Sequence, residues 1–78
     1  MATKTYRLTR RLPDGTIKAQ STEFGSLPAV RRMVAFILHV NGAVATRTDA
    51  NVWARENITV ANSTVQHPSG YVFWVEEV

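Results

Sequence analysis

Residues 25–42 read GSLPAVRRMVAFILHVNG, and the architecture turns on the helix they encode. The Ser26 hydroxyl is placed to accept first-turn amides, and Pro28 sits in the first turn, where an N–H has no intrahelical partner to lose. Asn41-Gly42 supplies a left-handed stop, so the helix runs to about Val40. Placed at about 100° per residue, Leu27, Val30, Met33, Val34, Phe36, Ile37, Leu38 and Val40 fill an arc of roughly 200°, leaving Arg31, Arg32, Ala35 and His39 as the wet strip. One sheet cannot cover that much apolar surface. A second element must pack on this helix.

The downstream sequence offers one. Thr48-Asp49 is a plausible cap, and Ala50, Trp53, Ala54, Ile58 and Ala61 recur at helical spacing, which predicts a second helix over about residues 49–61. The β-branched run Ile58-Thr59-Val60 also fits the start of a strand, and both readings stand at this point. The alternative cover for the first helix is a second copy of the chain, in a homodimer that uses its leftover apolar surface.

Upstream, Thr3 to Leu12 alternates. Tyr6, Leu8 and Leu12 share one phase and Thr5, Arg7, Thr9 and Arg11 the other, with Arg10 interrupting the apolar phase. Pro13-Asp14-Gly15 is a turn: proline presets φ, aspartate bonds the backbone ahead, and glycine takes the left-handed position. In the run that follows, Ile17, Ala19 and Ser21 fall on one face and Lys18, Gln20 and Thr22 on the other. Residues 3–24 therefore read as a hairpin. A second hairpin closes the sequence, with Thr64–His67, a Pro68-Ser69-Gly70 turn, and Tyr71–Val78. Its last strand is apolar in both phases, which suits a central position. The sum is a single α+β domain over residues 1–78, ordered β-β-α-α-β-β, with a four-stranded antiparallel sheet and both helices on one face.

Composition bounds the function. The chain has 78 residues, 45% hydrophobic and 19% charged, and no cysteine. Disulfides and cysteine-ligated metals are excluded, and a domain of about this size buries only about 60% of its unfolded surface. There is no secretory h-region and no apolar run of about 18 residues, so a cytoplasmic protein without membrane segments is expected. The net charge of +3 is unevenly spread. Residues 1–39 hold seven basic and two acidic side chains, a net +5, and residues 40–78 hold two basic and four acidic, a net −2.

Catalytic and cofactor signals are missing. The four glycines stand singly at turns and a helix end, so no glycine-rich nucleotide loop is present, and His39 and His67 lack metal-ligand spacing and read as surface or edge histidines. Glu76 and Glu77 are adjacent in a strand and point to opposite faces. No enzyme, cofactor or metal is expected.

The positive signal is the outer face of the first hairpin. Arg7, Thr9 and Arg11 with Lys18, Gln20 and Thr22 form a basic, hydrogen-bonding surface, and Trp74 joins it if the last strand lies alongside. That surface fits an acidic protein or, as a stacking platform, single-stranded nucleic acid. Arg31 and Arg32 on the first helix extend the basic character. Against both stands the plain alternative that such residues are what any solvated strand face carries. In size and in its arginine-rich, lysine-poor, Ala/Val-rich composition the chain resembles small accessory proteins encoded by actinobacteria or their phages. That resemblance rests on no motif and carries over no functional residue; it implies an inhibitor or adaptor that binds a host protein. The leading expectation is a protein-interaction module, and the alternative is a nucleic-acid-binding module.

Overall fold

The computed structural model describes residues 4–19 and 23–78. The elements are β1 (Tyr6–Arg11), β2 (Ile17–Ala19), α1 (Leu27–Val40), α2 (Arg47–Asn57), β3 (Ser63–Gln66) and β4 (Val72–Glu77). The four strands make one antiparallel sheet in the order β2-β1-β4-β3. This is the β-β-α-α-β-β, α+β arrangement that the sequence predicts. Thr3, Gln20, Ser21 and Thr22, which the sequence pattern places in the first hairpin, lie outside the described residues.

Both hairpin turns are built alike. Leu12 N–H donates to Thr16 O (2.8 Å) and His67 N–H to Tyr71 O (2.8 Å), closing three-residue loops. In each loop the third residue is a glycine at positive φ, Gly15 at 94° and Gly70 at 105°. Proline at the first loop position and glycine at the third is what a type I turn followed by a left-handed residue requires. Asp14 completes the first turn: its Oδ1 accepts from Thr16 N–H at 2.9 Å. The Thr16 backbone and hydroxyl hydrogen bonds hold the Asp14 carboxyl below its ordinary pKa.

An odd loop length fixes the register, and that corrects one expectation. Leu12 closes on Thr16, so Arg11 pairs with Ile17, Arg10 with Lys18 and Thr9 with Ala19. Directly paired residues share a face. Lys18 therefore lies on the side of Leu8 and Arg10, and it is Ile17 and Ala19 that share the face of Arg7, Thr9 and Arg11.

The core lies on the other side of the sheet, where Leu8, Phe73 and Val75 are fully buried against both helices. Ser26 caps α1, accepting from Ala29 N–H at 3.3 Å, with Pro28 in the first turn. Gly42 at φ 75° follows Asn41, whose Nδ2 donates to Ile37 O at 2.7 Å. α1 is thus bounded as its sequence predicts, but its face is turned. Ala35 is buried, while Phe36 is 48% and Val40 60% exposed. The wet strip is Pro28, Arg32, Phe36 and Val40 rather than Arg31, Arg32, Ala35 and His39.

The cause is α2. Its only buried residues are Ala50 and Ala54, and side chains that small let two helices approach closely; Ala35 is one turn on from Arg31, which reaches the end of α2, and so shares the face of α1 turned to it. α2 also departs from the predicted 49–61. Thr46, not Thr48 or Asp49, is its cap, with Oγ1 accepting from Asp49 N–H at 3.1 Å, and it ends at Asn57. Ile58 is fully buried just past that end, so the β-branched run terminates the helix, and Asn62 at φ 58° turns the chain into β3. An internal helix thus covers much of α1, the role for which the homodimer was the alternative.

Candidate functional site

The helices pack on the Leu8, Phe73 and Val75 side of the sheet, and among the described residues no helix lies on the other. Reading the register across it gives three rows: Arg7 opposite Glu76; Ala19, Thr9, Trp74 and Thr64; and Ile17, Arg11, Val72 and Gln66. Trp74 is the large aromatic at the middle of this face, half-buried with a threonine on each side. Ile17 stands at its rim, 65% exposed. Val72 is buried although it is on the open face, because the longer Arg11 and Gln66 flank it in register. So Arg7, Thr9, Arg11 and Trp74 are brought together as expected. Lys18 is on the opposite face, and Gln20 lies outside the described residues.

The electrostatics of the face differ from a basic platform. Arg7 is opposite Glu76 and also 3.5 Å from Glu23, in an exposed ion pair. Lys4 pairs with Glu77 at 3.5 Å, on the other side of the sheet from Arg7 and Glu76. Exposed pairs of this kind add little stability, but they do neutralise the cations for an incoming polyanion. Neither Arg11 nor Glu76 makes an ion pair with any described residue, so the face carries an unpaired charge of each sign. The result is a mixed surface with an aromatic centre.

Arg31 and Arg32 separate. Arg32 is exposed, whereas Arg31 Nε donates to Ile58 O at 2.6 Å and so caps the C-terminal end of α2. A cation there satisfies a carbonyl that the helix leaves open and meets the negative end of its dipole. Arg31 is therefore a structural tie between the helices, with its Nε committed to that bond.

His67 also departs from the expected surface or edge histidine, being only 8% exposed. Its ring meets Trp53 edge-on at 4.8 Å between centroids. Nδ1 accepts from Ser69 N–H at 3.0 Å and lies 2.7 Å from Ser69 Oγ. A serine hydroxyl on an imidazole is one part of a nucleophilic site, but among the described residues no carboxylate is hydrogen-bonded to this histidine to orient it. Both residues sit in one tight turn, and the imidazole does there what a backbone acceptor would do. The sequence signal that could have marked this role is His67-Pro68-Ser69-Gly70 itself, with an acceptor side chain placed just before a turn.

Burial holds the His67 pKa below its ordinary value. The folded state thus disfavours the extra proton, and protonated Nδ1 would face the Ser69 amide as a second donor. The stabilisation is complete above the unfolded value of about 6.5 and is lost as pH falls through the folded-state value. A melting series should therefore show Tm level at neutral pH and falling below about pH 6.5, above the carboxylate range. His67→Gln should flatten the curve in that window; an unchanged slope would assign the acid sensitivity to another group.

His39 is half-buried in α1, with Nδ1 unpartnered among the described residues. No pocket is present among the described residues, nor any group of three or more histidine, aspartate or glutamate side chains placed to hold a metal ion. No helix among them is long and apolar enough to cross a membrane. Comparison with protein-family models, curated proteins and solved structures finds no match for this chain.

Proposed function

We propose that this chain is a non-enzymatic protein-interaction module, an adaptor or inhibitor that binds another protein through the open face of its sheet with Trp74 at the centre. The observation that carries the reading is the composition of that face in register. An aromatic flanked by threonines, with Arg11, Gln66 and Ile17 around it and the Arg7–Glu76 row at one end, has the aromatic centre and polar rim of protein interfaces, where Trp and Arg dominate the binding energy. Phosphate tracking asks instead for unpaired cations on one surface. Here Lys18 is on the far side and Arg7 stands among carboxylates. A cytoplasmic setting suits the cysteine-free composition.

Two measurements test the proposal. The first is a fluorescence titration with mixed-sequence single-stranded and duplex oligonucleotides at about 50 and 200 mM salt, a range over which six to ten phosphate contacts lose roughly 10³–10⁵ in affinity. No binding at the lower salt is expected; micromolar binding with that steep slope would overturn the reading. The second compares the wild type with Trp74→Ala and with Arg32→Ala, which alters a helix on the other side of the molecule. A captured protein partner should be lost with Trp74→Ala, by about 2 kcal/mol or more for an interface centre, and kept with Arg32→Ala. The opposite pattern would move the contact to α1.

A further inference from the structure

The order β2-β1-β4-β3 leaves two free edges, and they are not equivalent. β2 is three residues long with Lys18 at its centre. A short strand with a lysine is a protected edge. β3 reads Ser-Thr-Val-Gln, with no charge, no proline and no charged side chain to deter another strand.

The hydrogen-bond pattern says which of its backbone groups are free. His67 N–H bonds Tyr71 O, and pairing then runs through Val65 with Phe73 and Ser63 with Val75. In an antiparallel ladder bonded pairs alternate with non-bonded ones. Thr64 and Gln66 therefore direct their N–H and C=O groups away from β4, out of the sheet.

Charge narrows the occupant. The acidic sequence half, residues 40–78, contains α2, β3 and β4, so the strand order turns the uneven charge along the chain into an uneven charge across the sheet. On α2, Trp53 marks the flank that reaches the second hairpin through His67 and Phe73. Asp49 and Glu56, at i−4 and i+3 from Trp53, share that flank and are exposed. Arg47 and Arg55 fall on the opposite side of the helical wheel. The open edge is thus uncharged in itself, and the flank of α2 that packs on its hairpin is the acidic one. A second copy would bring the same acidic flank against its own image.

We infer that the β3 edge takes an extended, lysine- or arginine-bearing segment of another protein as a fifth strand, paired to the backbone of Thr64 and Gln66. Main-chain hydrogen bonds supply the affinity in such strand addition, and side chains supply the choice of partner. The inference rests on the chain being a protein-binding module but uses the backbone edge of β3, where the rows of the Trp74 face end, rather than the side chains of that face, so the two can fail separately.

The test is amide exchange and chemical-shift mapping on the whole labelled chain, with two synthetic peptides of equal length. Both alternate Thr and Val; one carries lysines at its ends and the other glutamates. The expected result is slowed exchange at Thr64 and Gln66 with the lysine peptide at low salt, and at least tenfold weaker binding of the glutamate peptide. Thr64→Pro removes only an outward N–H, as an edge strand tolerates, and should abolish binding. If that variant does not fold, N-methylation of the lysine peptide at the alternate residues facing β3 should abolish binding, and methylation at the intervening residues should not. Equal response to both peptides, or no change at Thr64 and Gln66, would overturn the inference. Shifts confined to Thr9, Arg11 and Trp74, with Thr64 and Gln66 unchanged, would also overturn it while leaving the sheet-face reading in place. A doubling of mass with concentration that Thr64→Pro removes would assign the edge to a second copy instead.

Discussion

Phe73→Ala is expected to lower the free energy of unfolding by about 3–5 kcal/mol, which is most of what a domain of this size has. Phe73 has no solvent exposure. It lies in β4, a central strand, with Val65 on one side and Arg10 on the other. Its ring is 6.2 Å from Trp53 of α2 and stacks on Tyr71 at 5.9 Å. Removing it opens a cavity where α2 and both hairpins meet, and a thin core has little material with which to refill it. The neighbouring Trp74→Ala removes a larger side chain from the other face and should cost only about 1 kcal/mol, the scale of its cross-strand contacts with Thr9 and Thr64. Urea denaturation followed by circular dichroism measures both. The contrast is what matters for function: equal losses would make Trp74 a core residue and remove it as the centre of a binding face.

That contrast was not readable from β4 alone. Tyr71, Val72, Phe73, Trp74 and Val75 are all apolar, and a strand apolar in both phases does not say which face is covered. The neighbours say it: Leu8 opposite Val75 is buried, and Thr9 opposite Trp74 is not. Caps and turns, by contrast, are local chemistry, and Ser26, Asn41-Gly42, Pro13-Asp14-Gly15 and Pro68-Ser69-Gly70 all act where their residue types place them. The rotation of α1 is of the first kind. Ala35 reads as tolerant of water and Phe36 as needing cover, yet with α2 in place Ala35, Ala50 and Ala54 are buried and Phe36 is exposed. Small residues mark close approach only once both helices are known.

The candidate site was legible to the same extent. Alternation in β1 put Arg7, Thr9 and Arg11 on one face without reference to anything distant. Lys18 depended on whether the turn holds an even or odd number of residues. Counting Leu12 and Thr16 as the closing pair, rather than as strand ends of unknown register, carries Lys18 to the other side. The tie made by Arg31 is hidden from the sequence for a different reason. Its partner is a backbone carbonyl 27 positions away, and carbonyls left open at a helix end leave no mark in the sequence beyond the end itself.

Gly70→Ala carries the second large effect, and it arises where the two hairpins meet. Gly70 has φ 105°, a conformation that a side chain resists, at a cost of order 1–3 kcal/mol. An alanine Cβ there would also lie 3.1 Å from Pro13 Cβ and 3.3 Å from Pro13 Cα. The proline ring and its backbone cannot swing aside as a flexible side chain would. Together these effects should lower stability by about 2–3 kcal/mol, against about 1 kcal/mol for Gly42→Ala, whose φ is 75° but whose Cβ would meet nothing within 4 Å. Pro13→Gly removes one of the two crowding groups, so a double-mutant cycle in urea should show favourable coupling between positions 13 and 70. The turns abut just beyond Arg11 and Val72, the last pair of the central strands. Strain at Gly70 should therefore move Arg11 on the open face, and amide shifts at Arg11 and Val72 would register it. If Gly70→Ala costs no more than Gly42→Ala and the cycle shows no coupling, the two turns do not touch, and the position of Arg11 beside Trp74 is set by strand pairing alone.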